Sequence, residues 1–333
     1  MNKFEYVNAS SVKSATEQLQ SDGSVRIKAG GIDILDELKE RTINPKRLVN
    51  IKTVGGLKEI KEVKDSLHIG TLVTLSELAS NKQVKTLFPA LAEAALGAAT
   101  PQIRNVATIG GNICQRPRCW YYRSEEFSCL KKGGNECHAH LGDNRFHAIF
   151  GNDKCAMVHP SATAVALVAL QAKLKIEDTK GHRIVEIDNF FVKPEENAKA
   201  ENILKPTEII TEVILAKPAV GSRNFYIKLK EKQSFDWPMA DVAVAMEMAG
   251  GVCKAARVVL GAAAPVPWRA VAVEKALVGK KVDASVAEEV SRLAIEGAKP
   301  MSHNGYKLKV FETIVARALS VVASGDFSSK EGF

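Results

Sequence analysis

The chain has 333 residues, 46% of them hydrophobic and 25% charged, and a formal net charge of +8. That length allows two or three domains with real cores, and that composition excludes a disordered chain. No apolar run approaches the roughly 20 residues that span a bilayer. Lysines sit beside acids (LKEIKEVKDS, KLKEKQSFD) without forming a basic stripe, which argues against nucleic-acid binding and leaves solubility or an acidic partner surface to explain the charge.

The N-terminus, MNKFEYVNASS, shows neither a signal-peptide apolar stretch nor a twin-arginine pair. A cytoplasmic polypeptide is expected, with periplasmic residence open to a chain exported together with a signal-bearing partner. Val25–Ala29 is a short β-type run that stops at Gly30-Gly31, and Ile32–Leu38 then has helical spacing of apolar residues with acids in its first turns. This is a strand–glycine turn–helix unit, whose backbone N–H groups form a cradle suited to a phosphate. Leu48–Val54 reads as a strand, and Thr74–Ser80 and Gln83–Leu96 as helices. Thr100-Pro101 breaks the helical pattern. A second β-type run, Val106–Ile109, leads into a second glycine turn, Gly110-Gly111-Asn112.

Five of the six cysteines follow, inside TIGGNICQRPRCWYYRSEEFSCLKKGGNECHAHLGDNRFHAIFGNDKCAMVHPS. This segment is too polar to bury a core of its own, so a metal site or disulfides are expected to hold it together. Four thiolates on irregular loop spacing suit an all-cysteine zinc site or a [4Fe–4S] cluster, and the absence of a CxxC knuckle favours the cluster. Disulfides are disfavoured without a signal peptide. His138, His140, His147 and His159 lie in or beside the segment, which leaves a mixed Cys/His site open; most are read as loop hydrogen-bonding groups, since four thiolates already complete a tetrahedral set, and no nucleophile–His–acid triad is supported.

Ala162–Ala172 reads as a buried helix and Ala172–Ile187 as a hairpin with Thr179-Lys180-Gly181 at its turn. Glu208–Leu215 is a further strand. A boundary is expected near Lys217-Pro218-Ala219-Val220-Gly221. Beyond it Phe225–Leu229, Asp241–Ala249 and Val252–Leu260 read as strands, with Cys253 a core thiol. Helices follow at Ala270–Leu277, Ser285–Glu296 and Lys307–Ser320, the pattern of an α+β block. Phe235-Asp236-Trp237-Pro238 is rigid enough to line a pocket or interface, and equally suits a packed turn. The two glycine turns lack the GxGxxG spacing of a nicotinamide site and the Lys-Ser/Thr ending of a P-loop. A pyrophosphate ligand and simple turns both remain open on this reading.

KAGGIDIL, TPQIRNVATIGGN and the strand-rich C-terminal block together resemble the FAD-binding medium subunits of the xanthine dehydrogenase (molybdenum hydroxylase) family. The resemblance covers nearly the whole chain. It implies an α+β chain: a PCMH-type, vanillyl-alcohol-oxidase-like FAD-binding domain over 1–218, then a carbon monoxide dehydrogenase flavoprotein C-terminal α+β domain over 219–333. The first domain would divide into subdomains of about 1–54 and 55–218. The cysteine insert, about 114–157, is similar to that of aldehyde oxidoreductase FAD subunits and 4-hydroxybenzoyl-CoA reductase β subunits, where it holds a [4Fe–4S] cluster. RCWY, C–KGG–C and HAIFG–C then imply ligands at Cys119, Cys129, Cys137 and Cys155, leaving out Cys114.

By the same resemblance Ile27, Lys28, Ala29, Gly30, Gly31, Ile32, Asp33 and Ile34 would wrap the FAD pyrophosphate. Thr108, Gly110, Gly111 and Asn112 would lie on its other side, with Lys228 near the flavin. Ala162 stands where the family usually has Asp. The implied activity is oxidoreductase electron transfer. A molybdopterin-bearing large subunit oxidises the substrate, a small subunit with two [2Fe–2S] clusters passes electrons to this chain, and FAD discharges them to an external acceptor. A stand-alone flavin oxidoreductase and a non-enzymatic module braced by zinc are the alternatives.

Overall fold

The computed structural model describes residues 1–232 and 234–327, and its strands fall into three sheets in chain order. The first sheet contains β1 (Glu5–Asn8), β2 (Val25–Lys28) and β3 (Arg47–Asn50), all parallel, in the order β1-β3-β2. Parallel neighbours need crossovers, supplied here by the helices Val12–Gln18 and Ile32–Lys39. In the central strand the consecutive residues Leu48 and Val49 are both buried, so both faces of the sheet are covered.

The second sheet is antiparallel. Its strands β4 (Ile60–Val63), β5 (Ser66–Gly70), β6 (Lys173–Asp178), β7 (Gly181–Glu186) and β8 (Ile209–Ala216) run in the order β4-β5-β8-β6-β7. Its core is shared with the helices Leu75–Ser80, Lys82–Leu87, Pro89–Leu96 and Ala162–Ala169. The last of these is buried all round, as a helix apolar on every face must be. It packs on Pro89–Leu96 on one side and on the third sheet on the other. That sheet consists of β9 (Ser222–Leu229), β10 (Ala240–Ala249), β11 (Val252–Gly261) and β12 (Trp268–Arg269), antiparallel in the order β12-β11-β10-β9. The helices Val271–Leu277, Ala284–Ser291 and Lys307–Ser324 complete its core, which includes Cys253.

Two expected elements take another form. The helix expected over Gln83–Leu96 is two helices, because Phe88 leaves the helical region (φ −133°, ψ 55°) and Pro89 starts the second at the position where a missing N–H costs nothing. The strand expected at Val106–Ile109 is absent: Thr108 makes one isolated bridge to Thr74 and then caps a short helix, Ile109–Ile113. Gly110 and Gly111 therefore lie inside a helical turn. β1, β4, β5 and the helix Val12–Gln18 had no counterpart in the sequence reading. β1 and β4 are mostly exposed and lack an alternating apolar pattern.

The cysteine segment also departs from expectation by burying a small nucleus of its own, Tyr121, Ala139 and Ala156, with Phe127 and Cys119 against it. Its C-terminal end is built into the third sheet's core. Ile149 and Phe150 join that core, and Phe150 stacks on Trp268 with ring centroids 4.8 Å apart. Lys307, fully buried, donates to the carbonyls of Phe146 and His147 at 3.0 Å and of Ala262 at 2.8 Å.

At the join between the second and third sheets, Tyr226 donates from its hydroxyl to Asp241 at 2.6 Å, and both residues are buried. Burial pushes the Asp241 carboxyl up to about 6, from an ordinary value of 3.8. A folded-state value above the unfolded one means Asp241 stabilises the fold fully below about pH 4, and this contribution is lost as pH rises through about 6. Asp241→Asn is expected to flatten that region of the stability profile, read as the urea midpoint between pH 4 and 7. A profile unchanged by the substitution would remove Asp241 as its source.

Candidate functional site

Where β2 ends, Gly30 and Gly31 turn the chain into the helix Ile32–Lys39. Gly31 occupies the left-handed region at φ 90°, and no side chain caps the helix. Its first-turn N–H groups therefore face the adjacent space with a positive dipole end behind them. Gly30 has a different reason to be glycine. A Cβ there would sit 2.0 Å from the Val106 carbonyl oxygen, so the missing side chain lets two backbones meet. Gly110 does the same a layer further in, since its Cβ would lie 2.7 Å from Thr71 Cβ. Between them the segment 107–110 is stitched to 71–75: Leu75 N–H to Ala107 O at 2.9 Å, Ile109 N–H to Val73 O at 2.9 Å, and Gly110 N–H to Thr71 O at 3.0 Å. The two glycine turns thus belong to one continuous wall.

That wall encloses a cavity of about 680 Å³, within the roughly 300–1,000 Å³ of ligand clefts. Ile27, Ala29, Gly30, Gly31, Ile32, Asp33 and Ile34 border it from the first sheet, and Thr108, Gly110, Gly111 and Asn112 border it from the other side. Lys228 and Ala162 lie on it as well. Lys28 does not: its ammonium turns back to 5.9 Å from the centroid of the Tyr6 ring. Asn112 borders the cavity, but its side-chain oxygen is already taken by the hydroxyls of Ser161 (2.7 Å) and Thr163 (2.6 Å). Ala99, also on the wall, holds a strained φ of 48° under a 2.6 Å hydrogen bond from Arg104 to its carbonyl. Lys228 donates to Gly97 O at 3.0 Å, and burial pulls its ammonium down to about 8.

The sequence reading missed the cavity's third side. Arg116 and Arg118 reach it from the insert, and Glu201 from the loop before β8. The two arginines are organised by the helix Ile32–Lys39 and its C-cap Glu40, whose acids at 33, 36, 37 and 40 recur at helical spacing. Asp33 accepts from the Arg116 backbone at 2.7 Å and pairs with Arg118 and Arg123, each at 2.8 Å. Asp36 pairs with Arg118, Glu40 with Arg123, and Glu37 accepts from the Tyr122 hydroxyl at 2.8 Å. Burial raises the Glu37 carboxyl above its ordinary range. Arg116 also pairs with the buried Glu201 at 2.8 Å, and Lys131 meets Glu201 from the insert at 2.6 Å. At the mouth Arg118 lies over the Trp237 ring, 5.2 Å from its centroid, so Phe235–Pro238 does line a pocket while keeping Phe235 and Trp237 half exposed.

Cys119, Cys129, Cys137 and Cys155 converge on a second, much smaller void of about 10 Å³, roughly the space of one water. All are free thiols, and the rest of the lining is Tyr121, Tyr122, Leu130 and Met157 with Lys131 and His138. Among the described residues no group of three or more His, Cys, Asp or Glu side chains is placed to hold a metal ion. Mutual hydrogen bonding lowers the Cys137 thiol and raises Cys155, while burial pushes Cys119 up to about 11. His147, its ring nitrogen Nε2 3.3 Å from Cys119 Sγ, is held neutral by burial, which pulls it down to about 4. Cys114 is not in this set; it borders the large cavity, and burial pushes it up to about 12.

A parallel β-unit with an uncapped glycine-turn helix, facing a second glycine segment across one cavity, is the arrangement of a site for a phosphate-bearing ligand. Comparison with known proteins makes the class specific. Residues 2–219 match the FAD binding domain in molybdopterin dehydrogenase, and 224–322 match the CO dehydrogenase flavoprotein C-terminal domain. The aldehyde oxidoreductase FAD-binding subunit PaoB of Escherichia coli (strain K12) is 31% identical, covering 96% of this chain and 98% of that one. The carbon monoxide dehydrogenase medium chain of Hydrogenophaga pseudoflava is 28% identical over 96% of each. The solved carbon monoxide dehydrogenase from that organism, lacking the Mo-pyranopterin moiety, superposes with a TM-score of 0.76 over 97% of this chain and 98% of that one.

The chain belongs to the FAD-binding medium subunits of the xanthine dehydrogenase (molybdenum hydroxylase) family. Its fold is the α+β PCMH-type FAD-binding domain followed by the CO dehydrogenase flavoprotein C-terminal domain, and its role is enzymatic electron transfer. No helix among the described residues is long and apolar enough to cross a membrane.

Gly30→Ala is expected to force the 106–107 backbone away from the glycine turn. Overpacking of this kind costs on the order of 1–3 kcal/mol. The purified variant should show a lowered Tm and a reduced flavin-to-protein absorbance ratio. Full flavin content and an unchanged Tm would show that the wall tolerates a Cβ there.

Proposed function

We propose that this chain is the FAD- and [4Fe–4S]-containing subunit of a heterotrimeric, aldehyde-oxidising molybdenum hydroxylase. Its partners would be a molybdopterin-binding large subunit and a small subunit carrying two [2Fe–2S] clusters. Bound FAD would supply acceptance of electrons from the partner clusters and their release to an external acceptor. The observation that carries this reading is the single cavity bordered by an uncapped helix start, the TIGGN segment and Lys228. The 31% identity to an aldehyde oxidoreductase FAD-binding subunit supports the substrate class.

Within that cavity the N–H groups of Gly31, Ile32, Asp33 and Ile34 would meet the pyrophosphate, where a helix N-terminus favours negative charge. Gly111 and Thr108 would close on its other side, while Ile27 and Ala29 form the floor. Lys228 would stand beside the flavin ring system. Asn112 acts indirectly, by fixing Ser161 and Thr163. Ala162 leaves that face of the cavity apolar. For the domains we propose 1–218, in subdomains of about 1–54 and 55–218, and then 219–333; residues 328–333 of the latter lie outside the described residues.

The insert, about 114–157, would hold the cluster through Cys119, Cys129, Cys137 and Cys155. The chemistry of the donor set supports this: four free thiols around one small void, with backbone N–H donors at Cys119, Cys137 and Cys155. A visible spectrum and metal assay on anaerobically purified protein tests the reading. Flavin bands over a broad cluster absorbance and about four irons per chain are expected, and Cys129→Ser should lose the iron and keep the flavin. Flavin without iron would discard the cluster, and zinc in its place would support a structural site.

A further inference from the structure

His147 is buried and is the one side chain, among the described residues, that hydrogen-bonds to any of the four converging sulfurs from outside the cysteine set. Its Nε2 lies 3.3 Å from Cys119 Sγ. Its other nitrogen, Nδ1, is buried without a partner. A proton on Nδ1 would leave a buried donor unsatisfied, whereas a proton on Nε2 is directed at the sulfur. The surroundings therefore favour the Nε2–H tautomer.

The ring is also held in place from the third sheet's side. Lys307 and Asn304 both donate to the His147 carbonyl, at 3.0 and 3.2 Å. Trp120 packs edge-on against the imidazole, with centroids 5.1 Å apart. The sulfur it addresses is special by position. Cys119 directly follows Arg118, which borders the large cavity, so this ligand stands one residue from the wall of the flavin site.

We propose that His147 is a positioning residue for the iron–sulfur cluster: its Nε2–H donates to the Cys119 thiolate and holds the cluster at a higher reduction potential than the backbone donors alone would give. The inference rests on the cluster reading above. An N–H···S bond draws electron density from the thiolate, which stabilises the reduced and more negative state of the cluster. Because only Cys119 receives it, the effect falls on the ligand that follows the cavity-lining Arg118 in the chain.

The test uses the assembled complex. EPR-monitored redox titration of the cluster is run on the wild type, His147→Phe and His147→Gln. His147→Phe keeps a ring and lacks the donor; it should keep its iron and reduce at a lower potential. His147→Gln, with an amide N–H, should recover some of the shift. Equal potentials in all three would overturn the inference, as would iron loss from both variants, which would make His147 a ligand or brace. Wild type labelled with ¹⁵N-histidine gives an independent readout free of folding effects. A weak nitrogen hyperfine coupling in the reduced cluster is expected; no coupling, or one as strong as direct iron ligation, would overturn it. Absence of iron from the wild type would instead refute the cluster reading itself.

Discussion

The acid stripe on the helix Ile32–Lys39 is the contact on which the site depends. Asp33, Asp36, Glu37 and Glu40 share one face, and Arg116, Arg118, Arg123 and Tyr122 of the insert close over it. Isolated surface ion pairs contribute about 0–1 kcal/mol. This group differs because its members are linked and half buried, with the Arg123 side chain only 8% exposed and the Asp33 side chain 17%. Removing one partner from such a buried set costs roughly 3–5 kcal/mol, mostly by stranding the other charge. The same helix starts uncapped at the cavity, so the charge clasp and the proposed cofactor cradle are two sides of one element.

The clasp ties the insert into the flavin site's architecture. One end of the insert is bound to the glycine-turn helix through Asp33. The other is bound to the third sheet through Phe150, Asn304 and Lys307. Arg116 extends the connection to the loop before β8 through Glu201, so the cavity is closed on a third side by the same network. The four cysteines sit in the middle of this bracing. Their geometry is therefore set by the FAD-binding sheet and the C-terminal sheet together, which accounts for a cysteine segment rich in arginine and aromatic residues as well as thiols.

Much of this was legible in the sequence. The strand–glycine–helix unit at 25–38, the hairpin at 172–187 and the three C-terminal strands each announce themselves by local periodicity and turn chemistry, and they stand where expected. The convergence of four cysteines was also expected, from a resemblance to the family. What failed were readings that needed a distant partner. Val106–Ile109 looks like a strand because it is apolar; its backbone is instead held by 71–75 and by the space that Gly30 leaves. Gly30 and Gly110 were expected beside the FAD pyrophosphate; both border the cavity, and their packing against Val106 and Thr71 is a second role that local sequence does not show. The acid stripe was visible as spacing in IDILDELKE, yet its arginines lie about 83 residues away and carry no pattern that pairs them with it. Lys307 stands at the start of an expected helix with no local signal of burial, and the fold brings three carbonyls to it.

The central claim is that the clasp and the cofactor cradle act as one unit. A double-mutant cycle on flavin affinity tests it most directly, using Asp33→Asn, Arg123→Gln and the pair, with FAD binding to deflavinated protein followed by fluorescence quenching. Neither substitution removes a backbone N–H from the cradle. Each single variant is expected to weaken FAD binding, and the double variant to be little worse than the weaker single, since both break the same contact. Wild-type affinity in the single variants, or losses that simply add, would contradict the account.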